Sequence, residues 1–133
     1  MFNKNLNCMS EVVLIVDDEF SNYLVIKEYL SSTGLVTILA KDGIEAIEYV
    51  QSNIDIKLVF MDLRMPQMDG FYATRLISAI RPGLPVIAQT AYYYNNIQEE
   101  IVSNGFDGYL LKPFTEEQLL EMVRKFIPVP SEM

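Results

Sequence analysis

Short runs of wholly apolar, β-branched residues recur along the chain, and each is separated from the next by a segment with helical spacing. Residues 12–16 read VVLIV, a run suited to a strand covered on both faces. Ser21 is a plausible N-cap for a helix with Tyr23, Ile26 and Leu30 on one face, stopping near Gly34. A second strand is expected over 36–39, then a helix over 43–50 with Ile44, Ile47 and Val50 at helical spacing. A third strand over 58–61 leads into the loop MPQMDG and a helix striped by Ala73, Leu76, Ile77 and Ile80, ended by Pro82-Gly83. A fourth strand over 85–88 precedes a weaker helix over 95–103. A fifth over 109–111 is halted by Pro113, and Thr115 with Gln118 forms a capping-box pattern for a last helix carrying Leu119, Met122, Val123 and Phe126.

Five βα units with apolar strands predict an α/β fold, a parallel sheet with helices on both faces. Right-handed crossovers leave few topologies, and the flavodoxin-like three-layer sandwich, with five parallel strands in the order 2-1-3-4-5 and five helices, is the expected one. With 133 residues the chain suits a single domain. The domain is expected over 11–127, flanked by a tail or linker remnant at 1–10 and a short tail at 128–133.

Composition removes several function classes. Ten basic residues against 18 acidic ones give a net charge of −8, which argues against nucleic acid or an anionic membrane as the main partner. The absence of histidine excludes His-based zinc sites, a Ser-His-Asp triad and any role as phosphohistidine donor. The lone Cys8 cannot form an internal bridge, consistent with a reducing, cytoplasmic setting.

In a sheet of this kind the strands' carboxyl ends share one edge, where ligands bind. The strand ends read Asp17-Asp18-Glu19, then Asp62, then Gln89-Thr90-Ala91, then Lys112-Pro113. Strands 1 and 3 are neighbours in the expected order, so Asp17, Asp18 and Asp62 should converge, with Thr90 and Lys112 arriving from one side. Two unit charges 4 Å apart repel by about 1 kcal/mol in water and about 4 kcal/mol at an effective dielectric of 20. Such a cluster must take up protons or bind a cation, and an all-oxygen donor set favours Mg²⁺ over zinc. The Lys112 ammonium and Thr90 hydroxyl could then meet phosphoryl oxygens.

The motifs IVDDE, VFMDLRMPQMDG, QTA and GYLLKPFT, in this order at four strand ends, resemble the receiver domain of two-component response regulators over roughly residues 11–127. The resemblance implies that Asp62 is the phosphoacceptor, taking a phosphoryl group from a histidine kinase or histidine phosphotransfer domain. Asp17, Asp18 and Asp62, with the backbone carbonyl of Arg64, would hold Mg²⁺. It further implies that Thr90 is the switch hydroxyl, Lys112 the phosphoryl-binding lysine and Tyr109 the switch aromatic. A cis Lys112-Pro113 bond belongs to the same pattern. Phosphorylation would bias the surface of helix 4, strand 5 and helix 5. The domain itself would be a phosphoacceptor with slow autodephosphorylation rather than a turnover enzyme.

Arg64 and Tyr92 depart from the family's commoner pattern at positions that in the family line the path of the attacking water, so the resemblance implies that both modulate dephosphorylation. The run Tyr92-Tyr93-Tyr94 reads either as a partner-docking patch or as core cover. MDGFYATRLI and VIAQTAY look most like the receiver module of a hybrid sensor histidine kinase, which could tether the domain to a membrane without direct contact. A stand-alone response regulator and a phosphorylation-independent pseudo-receiver are the alternatives, and a phosphorylation-dependent homodimer stays open. An aspartate-nucleophile phosphohydrolase is disfavoured, because Arg64 stands where its general acid would be.

Overall fold

The computed structural model describes residues 11–91 and 93–128. The tail expected at 1–10, nearly all of that at 128–133, and Tyr92 lie outside them. Five strands and five helices alternate: β1 (Val12–Val16), α1 (Phe20–Tyr29), β2 (Val36–Ala40), α2 (Gly43–Ser52), β3 (Ile56–Asp62), α3 (Gly70–Ile80), β4 (Val86–Thr90), α4 (Ile97–Ser103), β5 (Gly108–Leu111) and α5 (Glu116–Arg124). The sheet runs β2-β1-β3-β4-β5, and every pairing is parallel. This is the flavodoxin-like order expected from the sequence.

Strand alternation divides the interior in two. Val12, Leu14 and Val16 of β1 join Val59 and Met61 of β3 under α2, α3 and α4, where Ala46, Val50, Ala73, Ile77, Ile97 and Ile101 complete the packing. Val13, Ile15, Leu58, Phe60 and Ile87 face the opposite way, against Tyr23, Ile26, Leu30, Leu119 and Val123 of the α1 and α5 layer. β1 is buried at every position, which is why it reads as an unbroken apolar run rather than as alternation; β4 is buried throughout as well, its apolar run ending at Gln89-Thr90.

Several boundaries differ from the sequence reading for identifiable reasons. α1 starts at Phe20 with Glu19 as its N-cap residue, so Ser21 lies inside the helix rather than capping it. The acidic turn supplies the cap region instead: Glu19 N–H donates to Asp17 Oδ1 at 2.9 Å, and Asn22 Nδ2 donates to Glu19 Oε1 at 2.9 Å. β3 begins at Ile56, two residues early, because the register with β1 shifts there; Val12 pairs with Ile56 and Val13 with Leu58. Lys57 falls in that irregularity and is exposed, so its charge broke an otherwise apolar run. β4 begins at Val86 rather than at residue 85 and continues to Thr90. In α2 the buried face is Gly43, Ala46 and Val50, while Ile44 is exposed. The capping box at the start of α5 is present as expected, with Thr115 and Gln118 bonded reciprocally.

Candidate functional site

Period-two alternation, continued past the strand ends, decides which polar side chains meet. Phe60 faces the α1 layer, so Asp62 does too; Ile15 carries Asp17 to the same side, and Leu110 carries Lys112. Asp17 is 1% exposed and Asp62 7%, whereas the adjacent Asp18 is exposed to solvent. One carboxylate oxygen from each of Asp17, Asp18 and Asp62 lies within 4.8 Å of the others. A single small cation could therefore contact all three.

The buried carboxylates are fixed in place. Lys112 Nζ donates to Asp17 Oδ2 at 3.2 Å and stands 3.8 Å from Asp62 Oδ2. Asp62 Oδ1 accepts the Arg64 N–H at 3.1 Å. Burial pushes the Asp62 carboxyl up to about 6, and the Asp17 and Asp18 charges add to the rise. Lys112 and the Arg64 N–H pull the other way without cancelling it. Asp62 is thus a strand-end carboxylate whose charge is costly unless further positive charge arrives.

The MPQMDG loop brings α3 hard against this strand end. A Cβ on Gly70 would stand 2.3 Å from the backbone oxygen of Asp62 and 3.0 Å from Leu63 Cα. Only glycine allows that approach. Asp69 caps α3 by accepting the Tyr72 N–H at 2.9 Å, and Gly70 N–H donates to the Leu63 carbonyl at 3.3 Å.

Thr90 ends β4 at 1% exposure, and its carbonyl accepts the Lys112 N–H at 2.8 Å, which joins the ends of β4 and β5. Lys112-Pro113 is cis, as the motif implied. Tyr109 is half-buried against the α3 and α4 side of the core, and its hydroxyl accepts from Gln98 Nε2 of α4 at 2.6 Å. Tyr93 and Tyr94 are exposed, so neither covers the core. The Tyr94 hydroxyl donates to Glu100, a bond that raises its pKa, and the Arg64 charge opposes that rise. The Gln98–Tyr109 bond and the placement of Gln89 had no signal in the sequence beyond their residue types.

The response regulator receiver domain family matches residues 13–124, and the chain belongs to it. Histidine kinase 3 of Arabidopsis thaliana is 36% identical over 90% of this chain, and the sensor protein GacS of Pseudomonas syringae pv. syringae is 36% identical over 86%. The chain spans only 14% and 13% of those two relatives, so it resembles one segment of much longer sensor proteins. The receiver domain of a Pseudomonas aeruginosa PAO1 sensor histidine kinase matches with a TM-score of 0.79 and 33% identity, covering 88% of this chain and 97% of that one. That relative was crystallised with a magnesium ion coordinated in its active-site cleft.

Proposed function

We propose that the domain accepts a phosphoryl group from a phosphohistidine onto Asp62, with Mg²⁺, and that it serves as the receiver module of a hybrid sensor histidine kinase. The observation that carries this reading is the convergence of three carboxylate oxygens within 4.8 Å, beside an ammonium that contacts two of the three residues. That donor set is hard, acidic and open on the Asp18 side, the kind Mg²⁺ takes while keeping room for waters and a phosphoryl oxygen. Asp17, Asp18, Asp62 and the Arg64 carbonyl would hold the ion, and its charge would neutralise carboxylate and phosphoryl oxygens alike.

The chain's own residues account for the rest. Asp62, whose burial holds its pKa up at about 6 before a cation binds, is nonetheless ionised at neutral pH and so available as the nucleophile. An Asp62 oxygen forms a bond to phosphorus as the phosphorus–nitrogen bond of phosphohistidine breaks, and the departing imidazole takes up a proton. Lys112 lies close enough to follow the phosphoryl oxygens, and the Arg64 N–H holds Asp62 Oδ1 so that Oδ2 points toward Lys112 and the open side. Thr90 and Tyr109 serve as the switch pair, with Arg64 and Tyr92 controlling water access to the acyl phosphate. No described helix is long and apolar enough to cross a membrane, and the donor would be a kinase or phosphotransfer domain on the cytoplasmic side.

The test is transfer from a ³²P-labelled histidine phosphotransfer domain to the purified chain. The expected result is label that is lost on hydroxylamine treatment and absent from Asp62→Asn. Persistent failure to accept label from any such donor would favour a phosphorylation-independent interaction module.

A further inference from the structure

Gln89 lies beside the candidate site, and phosphoryl transfer as proposed makes no use of it. It pairs with Asp62 across β3 and β4, and Ile87 two residues earlier faces the α1 layer. Gln89 therefore shares a face and a level with Asp17, Asp62 and Lys112. It is 0% exposed, and together with Lys112, Ile26 and Phe114 it lines a cleft of 460 Å³ between α1 and the β5–α5 connection. Its Nε2 donates to the Val16 carbonyl at 3.5 Å, while its Oε1 has no partner and is closed to solvent.

A sealed amide whose oxygen has no hydrogen-bond partner destabilises the core it sits in. An apolar side chain of the same length would fill the same space without that cost. Stability therefore does not explain the residue. Its one bond gives another reason: the Ala40 carbonyl accepts the Asp17 N–H at 3.0 Å on one side of the Val16–Asp17 peptide, and on the other the Gln89 amide makes a longer contact of 3.5 Å to the Val16 carbonyl. That peptide sets the position of the Asp17 carboxylate. Gln89 also precedes Thr90 on β4, so a displacement of the Thr90 end of the strand moves the amide with it.

We infer that Gln89 is a positioning residue of the phosphoacceptor site, fixing the Val16–Asp17 peptide, and through it the Asp17 carboxylate, to the Thr90 end of β4. This rests on the reading of Asp17 as a Mg²⁺ ligand. The test compares wild type with Gln89→Met and Gln89→Leu, measuring Mg²⁺ affinity by calorimetry and urea midpoint in EDTA. Thr74→Val is the control, since Thr74 is also fully buried with an unpartnered hydroxyl but lies in α3. The expected result is a Kd for Mg²⁺ about tenfold weaker in the Gln89 variants, with an equal or higher urea midpoint, and a Thr74 variant of unchanged Kd. A Kd within about twofold of wild type would overturn the inference, by the same scale for groups that orient metal ligands. So would loss of stability in EDTA, which would make Gln89 a packing residue. A wild-type chain that binds no Mg²⁺ would instead overturn the reading of the site, and this role with it.

Discussion

Replacing Asp62 by asparagine should stabilise the metal-free domain at neutral pH and hardly change it in acid. The reason is the burial of Asp62 beside two other carboxylates, which lifts its pKa from 3.8 to about 6. Because the folded-state value is the higher one, the native state binds the proton more tightly than the unfolded chain. The favourable contribution is complete below pH ~4 and is lost as pH rises through about 6. Above that window the ionised Asp62 costs about 3 kcal/mol, from roughly two pH units at 1.36 kcal/mol each. Asparagine keeps an Oδ1 to accept the Arg64 N–H but carries no charge, so much of that cost should disappear. Urea denaturation in EDTA should show Asp62→Asn more stable by about 2–3 kcal/mol at pH 8, the gain shrinking to under about 1 kcal/mol at pH 4.5. A gain of equal size at both pH values, or no gain at pH 8, would refute the argument from burial.

Three further outcomes follow from the same geometry. Gly70→Ala forces a methyl group to within 2.3 Å of the Asp62 carbonyl; it should cost about 2 kcal/mol or more by urea denaturation and slow phosphorylation, since α3 must retreat from the strand end. Lys112→Gln removes the cation from buried Asp17; it should destabilise the fold by about 3 kcal/mol and move the Asp62 midpoint, followed by carboxyl ¹³C NMR, above about 6. At the opposite edge of the sheet, Arg81 donates to the carbonyls of Asn53, Ile54 and Ile56. Arg81→Met should lower stability by about 1–3 kcal/mol and leave Mg²⁺ affinity unchanged.

Most of the fold was legible in the sequence because strands buried on both faces leave unbroken apolar runs, and the turn and cap residues between them are explicit. The misplacements came where a charged or small residue serves a purpose invisible to pattern. Lys57 interrupted β3 because it sits in a register shift. Ser21 looked like a cap because the acidic turn that starts α1 is a contact between Asp17 and Glu19, not a sequence signature. The convergence of Asp17, Asp18, Asp62 and Lys112 was legible from strand order alone. Which member of the Asp17-Asp18 pair is buried, how far the Asp62 carboxyl is displaced, and what Gln89 touches depend on depth and register, and these emerge only when the strands are paired.

Intact mass after incubation with acetyl phosphate, for the wild-type chain and Asp62→Asn, with Mg²⁺ and with EDTA, addresses the phosphoacceptor assignment most directly. The arrangement of Asp17, Asp18, Asp62 and Lys112 predicts the addition of one phosphoryl group that requires Mg²⁺ and is absent from the variant. An unmodified wild-type chain in Mg²⁺, or a variant modified as readily as wild type, would contradict it.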